Sequence, residues 1–544
     1  ALLVELVGAV GESETHPLRP LMEFVCQLID NYEDKYVPEL TELFPELAEE
    51  TPIETTNKRK QPVSNIPKQS DSELAAHAFF SIGYLLYHGN RTEKAISAYN
   101  TASALKPDFW EASYNCGIAR NDFSQYKEAL TNFDKAIALN SNLTDAHCNR
   151  GVAYFNLNQP TEAMDDFNRA IELDPDFAEA YYNRGTMKAE FGDYEEAITD
   201  FNRAIASKPN FVEAYHNRGT TWLRLDKHDQ ALVDFDASIK LEPNSAELYF
   251  TRGCVKGSSG QHKSALVDFD KAVELDPNSV KAYTVRGYTK ARLGEHKFAI
   301  DDYDKAIALE PNSAEIYYYR GIAKNELGQH ETAISDYDEA IRLNPDYAIA
   351  YNIRGLSWDK LGQHNEAIAD YTEAIRLSPN YIEAYNNRGI SQSMLGRHDE
   401  AIADCTEAIR LNPDYAIAYH NRGLAKTRHE DFDSAIVDYT EAIRLNSDYT
   451  EAYAHRGVAK AELGNIDEAR SDLQTALVLA EQQGNSDFKA LVEKWLQRLN
   501  QMDSKHKNHK KPRSGGQWKG KVKIAEDFDE LPESFTENFR GEDE

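Results

Sequence analysis

The sequence predicts an all-α solenoid, and three observations carry that expectation. An Arg-Gly pair returns every 34 residues, ten times without a slip, from Arg150-Gly151 through Arg184-Gly185 and Arg354-Gly355 to Arg456-Gly457. A fixed period of that size marks a chain in which each unit buries its apolar face only against its neighbours. With the Gly set at position 8 of the period, position 20 is Ala in all twelve resulting units, from Ala95 to Ala469, and position 27 is Ala in eleven, Ser238 being the exception. Small residues recur in this way where two helices approach closely. Position 32 is usually Pro, as at Pro175, Pro209, Pro243 and Pro277, and Pro there stops a second helix before the next unit starts.

The elements follow in chain order. The opening apolar run Ala1 to Val10 contains Glu5, lacks a basic flank and begins without Met, so it reads as the cut end of something longer rather than a signal peptide. Leu18, Leu21, Phe24, Val25, Leu28, Ile29 and Tyr32 stand at helical spacing and predict an N-terminal helical segment within 1–47. A polar, Pro-containing linker covers 48–75. Two less regular units, 76–109 and 110–143, precede ten regular ones from 144–177 to 450–483, and 12 × 34 gives 408 residues. Position 4 is mostly Tyr (Tyr181, Tyr215, Tyr249, Tyr283, Tyr317) and position 24 mostly aromatic (Phe133, Phe167, Phe201, Tyr303, Tyr337). Phe488, Leu491, Val492, Trp495, Leu496 and Leu499 form one stripe and predict a capping helix at 484–502, because a last repeat needs its open face covered. A basic linker at 503–513 and a flexible acidic tail at 514–544 complete the chain.

This pattern resembles the tetratricopeptide repeat, a helix-turn-helix unit of the same length, over about three quarters of the chain. The resemblance implies a right-handed superhelix whose concave groove is lined by the first helix of each unit.

Charge and composition exclude several function classes. With 91 acidic against 60 basic residues the net charge is −31. Such a surface repels phosphate backbones and anionic lipid, which argues against nucleic acid and membrane insertion and favours a neutral or basic protein or peptide partner. No stretch approaches the ~20 apolar residues needed to cross a bilayer. Cys26, Cys116, Cys148, Cys254 and Cys405 have no paired spacing, so they read as small core residues in a reducing, cytoplasmic compartment. No phosphate loop, nucleophile elbow or metal-spaced cluster is present, and no cofactor or enzymatic activity is expected.

Within an antiparallel helix pair turning near position 15, residues whose positions sum to about 30 lie side by side. Position 7 is Arg in units three to twelve, and position 23 is Asp in the same ten. In the first two units both change together, to Ile82 with Ala98 and to Cys116 with Asn132. The pattern predicts a structural ion pair in each regular unit, such as Arg184 with Asp200 and Arg354 with Asp370. It also sets the glycine at position 8 opposite the alanine at position 20. A competing reading is a row of arginines lining a groove for phosphate or carboxylate.

Positions 2, 6, 9 and 13 share one side of the first helix. Position 6 is Asn at Asn115, Asn149, Asn183 and Asn217 and again at Asn387 and Asn421, interrupted by Thr251, Val285, Tyr319 and Ile353. Asn offers an acceptor and two donors, enough to grip the backbone of an extended peptide at regular intervals. The row resembles the asparagine ladder of O-GlcNAc transferase and related tetratricopeptide adaptors. Tyr114, Tyr182, Phe250 and Tyr318 at position 5 are candidate apolar anchors beside it. Chaperone C-terminus clamps of this fold need Lys at position 5 of the first unit, which no unit has. His228, His262, His296, His330, His364 and His398 recur at position 17. Packed helices lie roughly 8 to 10 Å apart, so neighbours cannot share a zinc with bonds of about 2.0 Å, and ring-sized packing at the turn is expected.

The tail joins a Gly-Lys-rich first half around Trp518 to an acidic second half with Phe528, Leu531, Phe535 and Phe539. It is too short to bury a core and suits folding on a partner. It resembles the toxin-neutralising tails of small bacterial type II antitoxins, and the N-terminal segment around Pro17 to Asp34 more faintly resembles the end of helix-turn-helix antitoxins. The leading expectation is a non-catalytic interaction scaffold that binds an extended peptide in its groove. The alternative is an antitoxin-like regulator whose tail neutralises a toxin, with the repeats as scaffold.

Overall fold

Helix pairs begin where the sequence supplies a turn every 34 residues. The computed structural model of the chain describes residues 71–507, which form 25 α-helices and no strand. The N-terminal helical segment expected within 1–47 lies outside the described residues. So does the tail with Trp518, Phe528, Leu531, Phe535 and Phe539. After Asp71–His88 and Thr92–Leu105, first helices of 13 residues alternate with second helices of 14, as in Ala178–Glu190 and Tyr194–Ser207. The last pair is Thr450–Glu462 with a longer Ile466–Gln482, and Ser486–Lys507 packs on it.

The turn within each pair is set at position 15. There Gly192, Gly260, Gly294, Gly328, Gly362, Gly396 and Gly464 hold φ between 71° and 88°. Gly294 N donates to Ala291 O at 2.9 Å and Glu295 N to Lys290 O at 2.9 Å, a Schellman closure that satisfies the last carbonyls of the first helix. Asn90, Ser124, Asn158, Asp226 and Glu430 adopt the same left-handed region without being glycine, Glu430 at φ 61°. A side chain in that region is strained against its own backbone. Glu430→Gly is therefore expected to raise stability by roughly 0.5 to 1 kcal/mol, read as a shift of the denaturant midpoint. A lower midpoint would show that the Glu430 side chain stabilises more than its backbone costs.

The glycine at position 8 has a different task. A Cβ on Gly321 would stand 2.5 Å from Tyr337 Cε1, and one on Gly117 2.5 Å from Phe133 Cε1. The atoms closest to the glycine are thus the ring at position 24. The backbone carbonyl of position 20 comes next, as for Gly185, 3.1 Å from Ala197 O. The expected close approach to position 20 is present, and in most pairs the missing side chain also makes room for a fully buried ring at position 24. Phe133, Phe167, Phe201 and Phe235, and later Tyr303, Tyr337, Tyr371 and Tyr439, are each 1% exposed or less.

The chain divides into two compact units between Val255 and Lys256. In the first, successive clusters such as Ala163, Phe167, Ala170 and Met187 make up a core that runs from pair to pair. In the second, the C-terminal cluster gathers Val458, Ile466 and Leu473 with Phe488, Val492, Trp495 and Leu499 of the terminal helix. Asn485 Oδ1 accepts from Phe488 N at 3.1 Å and starts that helix.

Candidate functional site

The recurring arginine is held inside the scaffold. Arg184 donates from Nε to Asp200 Oδ2 at 2.9 Å and from Nη2 to Oδ1 at 2.5 Å, and its Nη1 reaches Asn168 Oδ1 of the preceding pair at 2.6 Å. Arg354 does the same with Asp370 (2.8 and 2.6 Å) and Asp338 (2.6 Å). The two-pronged contact recurs at Arg150, Arg218, Arg286, Arg320, Arg388, Arg422 and Arg456. The tyrosine at position 4 stacks beside it, Tyr181 at 5.5 Å and Tyr351 at 5.4 Å from the guanidinium carbon. In some pairs a lysine at position 11 adds a second cation, as Lys188 to Asp200 at 3.0 Å. Hydrogen bonding to Asp166 does most to lift the Arg150 guanidinium above its ordinary value. Burial pushes the Asp166 carboxyl up, but Arg150 and His147 Nδ1, 3.1 Å away, outweigh it and hold the carboxyl below its usual range. The acceptor at position 25, the lysine at position 11 and the stacked tyrosine escaped the pairwise argument. All three keep the same 34-residue period and could have been read from it.

With positions 4, 7 and 8 engaged inside each pair, positions 2, 6, 9 and 13 form the remaining face of the first helix, here called the ladder face. In the first unit Asn115 Nδ2 donates to Glu111 O at 2.9 Å, and Asn149 Nδ2 donates to Asp145 O at 2.9 Å and Tyr114 OH at 3.2 Å. Asn183 Nδ2 meets Cys148 Sγ at 3.3 Å, and Asn217 Nδ2 meets Tyr182 OH at 3.0 Å and Thr186 Oγ1 at 3.2 Å. Position 6 of one pair is thus stitched to position 5 of the pair before it. A backbone carbonyl accepts only from the amide nitrogen, so Asn115 and Asn149 turn Nδ2 to the helix and leave Oδ1 facing outward. All four are half-buried, and among the described residues none of the four Oδ1 atoms receives a donor.

The position 5 side chains stand one step deeper. Tyr114 packs on Phe133 at 6.2 Å between ring centres, Tyr182 on Phe201 at 6.2 Å and Phe211 at 4.9 Å. In the second unit Tyr318 packs on Tyr337 at 6.3 Å and Tyr347 at 5.2 Å. Phe250 is likewise half-buried. Tyr114 and Tyr182 also accept from Asn149 and Asn217 of the next pair.

In the second unit the stitch continues with other chemistry. Asn387 Nδ2 donates to Asn352 Oδ1 at 3.2 Å and Asn421 Nδ2 to Asn386 Oδ1 at 2.8 Å. At the next junction His420 Nε2 and His455 Nδ1 share a proton at 2.8 Å, both rings fully buried. Burial drives the His420 pKa down to about 3 and the His455 pKa well below its ordinary value. Position 9, which is Tyr84, Ile118, Val152, Thr186, Thr220 and Cys254 in the first unit, is Tyr288 and then Ile322, Leu356, Ile390, Leu424 and Val458 here. That aliphatic row is a second periodic signal the ladder argument did not use.

The position 17 histidines begin second helices. His364 Nδ1 bonds Asp359 Oδ1 at 2.9 Å, His330 Nδ1 bonds Asn325 Oδ1 at 3.1 Å, and His228 Nε2 bonds Asp226 Oδ1 at 3.0 Å. Each clasps the end of the first helix or the turn that follows it. Among the described residues no group of three His, Cys, Asp or Glu side chains gathers to hold a metal ion, and no helix is long and apolar enough to cross a membrane.

Comparison with known families gives matches of one kind. The tetratricopeptide repeat matches at residues 144–177, 314–347 and 382–415, and further matches described as TPR repeat cover 83–120, 124–158, 188–226, 287–326 and 360–396. Tetratricopeptide repeat matches also cover 167–199, 246–279 and 420–486. The antitoxin resemblance of the two ends finds no support among them. No curated protein sequence matches the chain. Among solved structures, the MamA protein is 32% identical over 31% of this chain and 93% of its own, with a TM-score of 0.30. YrrB, described as a TPR protein with an unusual peptide-binding site, is 24% identical over 34% of this chain and 96% of its own, TM-score 0.31. Yeast Tom70 is 19% identical over 79% of this chain and 96% of its own, TM-score 0.36. The chain is built from tetratricopeptide repeats, the units of a family of protein-interaction scaffolds.

Proposed function

We propose that the chain is a non-catalytic adaptor that holds an extended peptide of another protein along the ladder face of its first unit. The observation that carries this reading is the outward row of amide oxygens on Asn115, Asn149, Asn183 and Asn217, whose nitrogens are engaged behind them. Repeats 34 residues apart present one acceptor each, which suits the N–H groups of an extended backbone and leaves its sequence largely unread. The −31 net charge favours a neutral or basic peptide. The free cysteines Cys116, Cys148, Cys254 and Cys405 fit a reducing, cytoplasmic setting.

Purification of bound partners on the full chain tests it. Asn149→Ala, Asn183→Ala and Asn217→Ala together remove three acceptors, about 3 kcal/mol in all and on the order of 100-fold in affinity. The partner is expected to be lost from this variant and kept by a chain lacking residues 514–544. Loss on removing 514–544 alone would instead favour a tail that neutralises its target, and loss in neither would leave the ladder face without a ligand.

A further inference from the structure

The ladder face of the second unit carries an unbroken aliphatic row. Leu356, Ile390 and Leu424 run along it at 34-residue intervals, all half-buried, and Ile349 and Met394 beside them are 43% and 45% exposed. Two polar groups on this face lack what they need. Asn387 is 3% exposed, its Nδ2 goes to Asn352, and its buried Oδ1 has no donor. Glu451, at position 2 of its pair, is 8% exposed and makes no ion pair among the described residues. A buried acceptor without a donor and a buried carboxylate without a cation are each costly. Glu383 and Glu462 lie on the same face with Lys360 and Arg428, the latter with Nη1 on Ser393 Oγ at 3.0 Å.

What this face needs is an extended segment with apolar side chains on one edge and positive charge on the other. The chain carries one within the same unit. In Trp518-Lys519-Gly520-Lys521-Val522-Lys523-Ile524, residues 518, 522 and 524 alternate with three lysines, so an extended backbone puts the two sets on opposite edges. The described structure ends at Lys507, in the helix that packs on the last pair. Eleven further residues to Trp518 span up to about 36 Å, and the seven-residue segment covers about 23 Å, the width of two to three pairs at 8 to 10 Å each.

From these features we infer that residues 518–524 dock on the ladder face of the second unit, Trp518, Val522 and Ile524 against Ile390, Met394 and Leu424. The lysines then meet Glu383 and Glu451, and a backbone N–H meets Asn387 Oδ1. The chain supplies its own occupant for this face, and an outside peptide must displace it. The inference rests on the reading of the ladder face as a peptide site.

A fluorescent peptide of residues 516–526 and the full chain test it. The peptide is expected to bind full chain carrying Lys519→Glu, Lys521→Glu and Lys523→Glu at least tenfold more tightly than the unaltered chain, whose own tail competes. Adding Glu451→Lys to that variant is expected to abolish the gain. A photo-reactive residue at 518 is expected to cross-link within one copy to segments between Ile349 and Val458. Equal affinities, no binding to the charge-reversed chain, or cross-links only between two copies would each overturn the inference. These readouts share no residue with the Asn149, Asn183 and Asn217 variant, so failure here and failure of the proposed adaptor function are separable.

Discussion

Arg354→Leu is expected to cost about 3 to 5 kcal/mol, and Arg354→Leu with Asp370→Leu much less. The asymmetry follows from burial. Asp370 is 6% exposed, and burial already pushes its carboxyl above the usual range although Arg354 pulls it down. Removing the arginine leaves that carboxylate without its two-pronged partner and deprives Asp338 of its 2.6 Å contact. Removing both groups replaces a desolvated pair by apolar surface. The position 11 residue of this pair is Trp358, so no lysine stands in. At Arg286 the situation differs, since Lys290 lies 2.8 Å from Asp302. Arg286→Leu is accordingly expected to cost less than Arg354→Leu. Chemical denaturation of these three variants and of Asp370→Leu alone gives the comparison, and a near-zero coupling between Arg354 and Asp370 in the double-mutant cycle would refute the contact.

Acidification is expected to destabilise the C-terminal pairs through His420 and His455. Burial holds both imidazoles neutral, His420 down to about 3, with Tyr439, Tyr449 and Trp495 closing around the pair. An unfolded histidine titrates near 6.5, so below that pH the unfolded chain takes up protons that the folded chain refuses. Stability is thus fully present above about pH 6.5 and falls by about 1.4 kcal/mol per pH unit for each histidine below it, about 5 kcal/mol for the two by pH 4.5. The preceding junction makes the same stitch from Asn386 and Asn421 at 2.8 Å. His420→Asn with His455→Asn is therefore expected to fold and to flatten the dependence. Thermal unfolding of both chains between pH 7.5 and 4.5 measures it, and parallel slopes would show that other groups carry the acid sensitivity.

How far the sequence could be read depends on which physics each residue obeys. The helix pairs were legible because the period is strict and each of its punctuation residues has one cause: Pro ends a second helix, and Gly at position 15 closes the turn. The glycine at position 8 was assigned to close approach, but its partner at position 24 was not, because a ring's reach exceeds the spacing of Cα positions. The asparagine row was visible as a pattern. Its division of labour, nitrogen inward and oxygen outward, depends on which neighbour stands 35 residues back, and the one-helix view of the face had no place for that. Position 5 was read as candidate apolar anchors, and its place in the seam between pairs was not legible because aromatic type does not say which way a ring faces.

The central claim is that outward asparagine oxygens accept the backbone N–H groups of a bound peptide. Titration calorimetry with the partner's own segment, once mapped, against the same segment N-methylated at alternate residues measures this directly. The account predicts roughly tenfold weaker binding per methylated N–H on the unaltered chain, and no such difference on the Asn149→Ala, Asn183→Ala, Asn217→Ala chain. Equal affinity of the two peptides for the unaltered chain would contradict it.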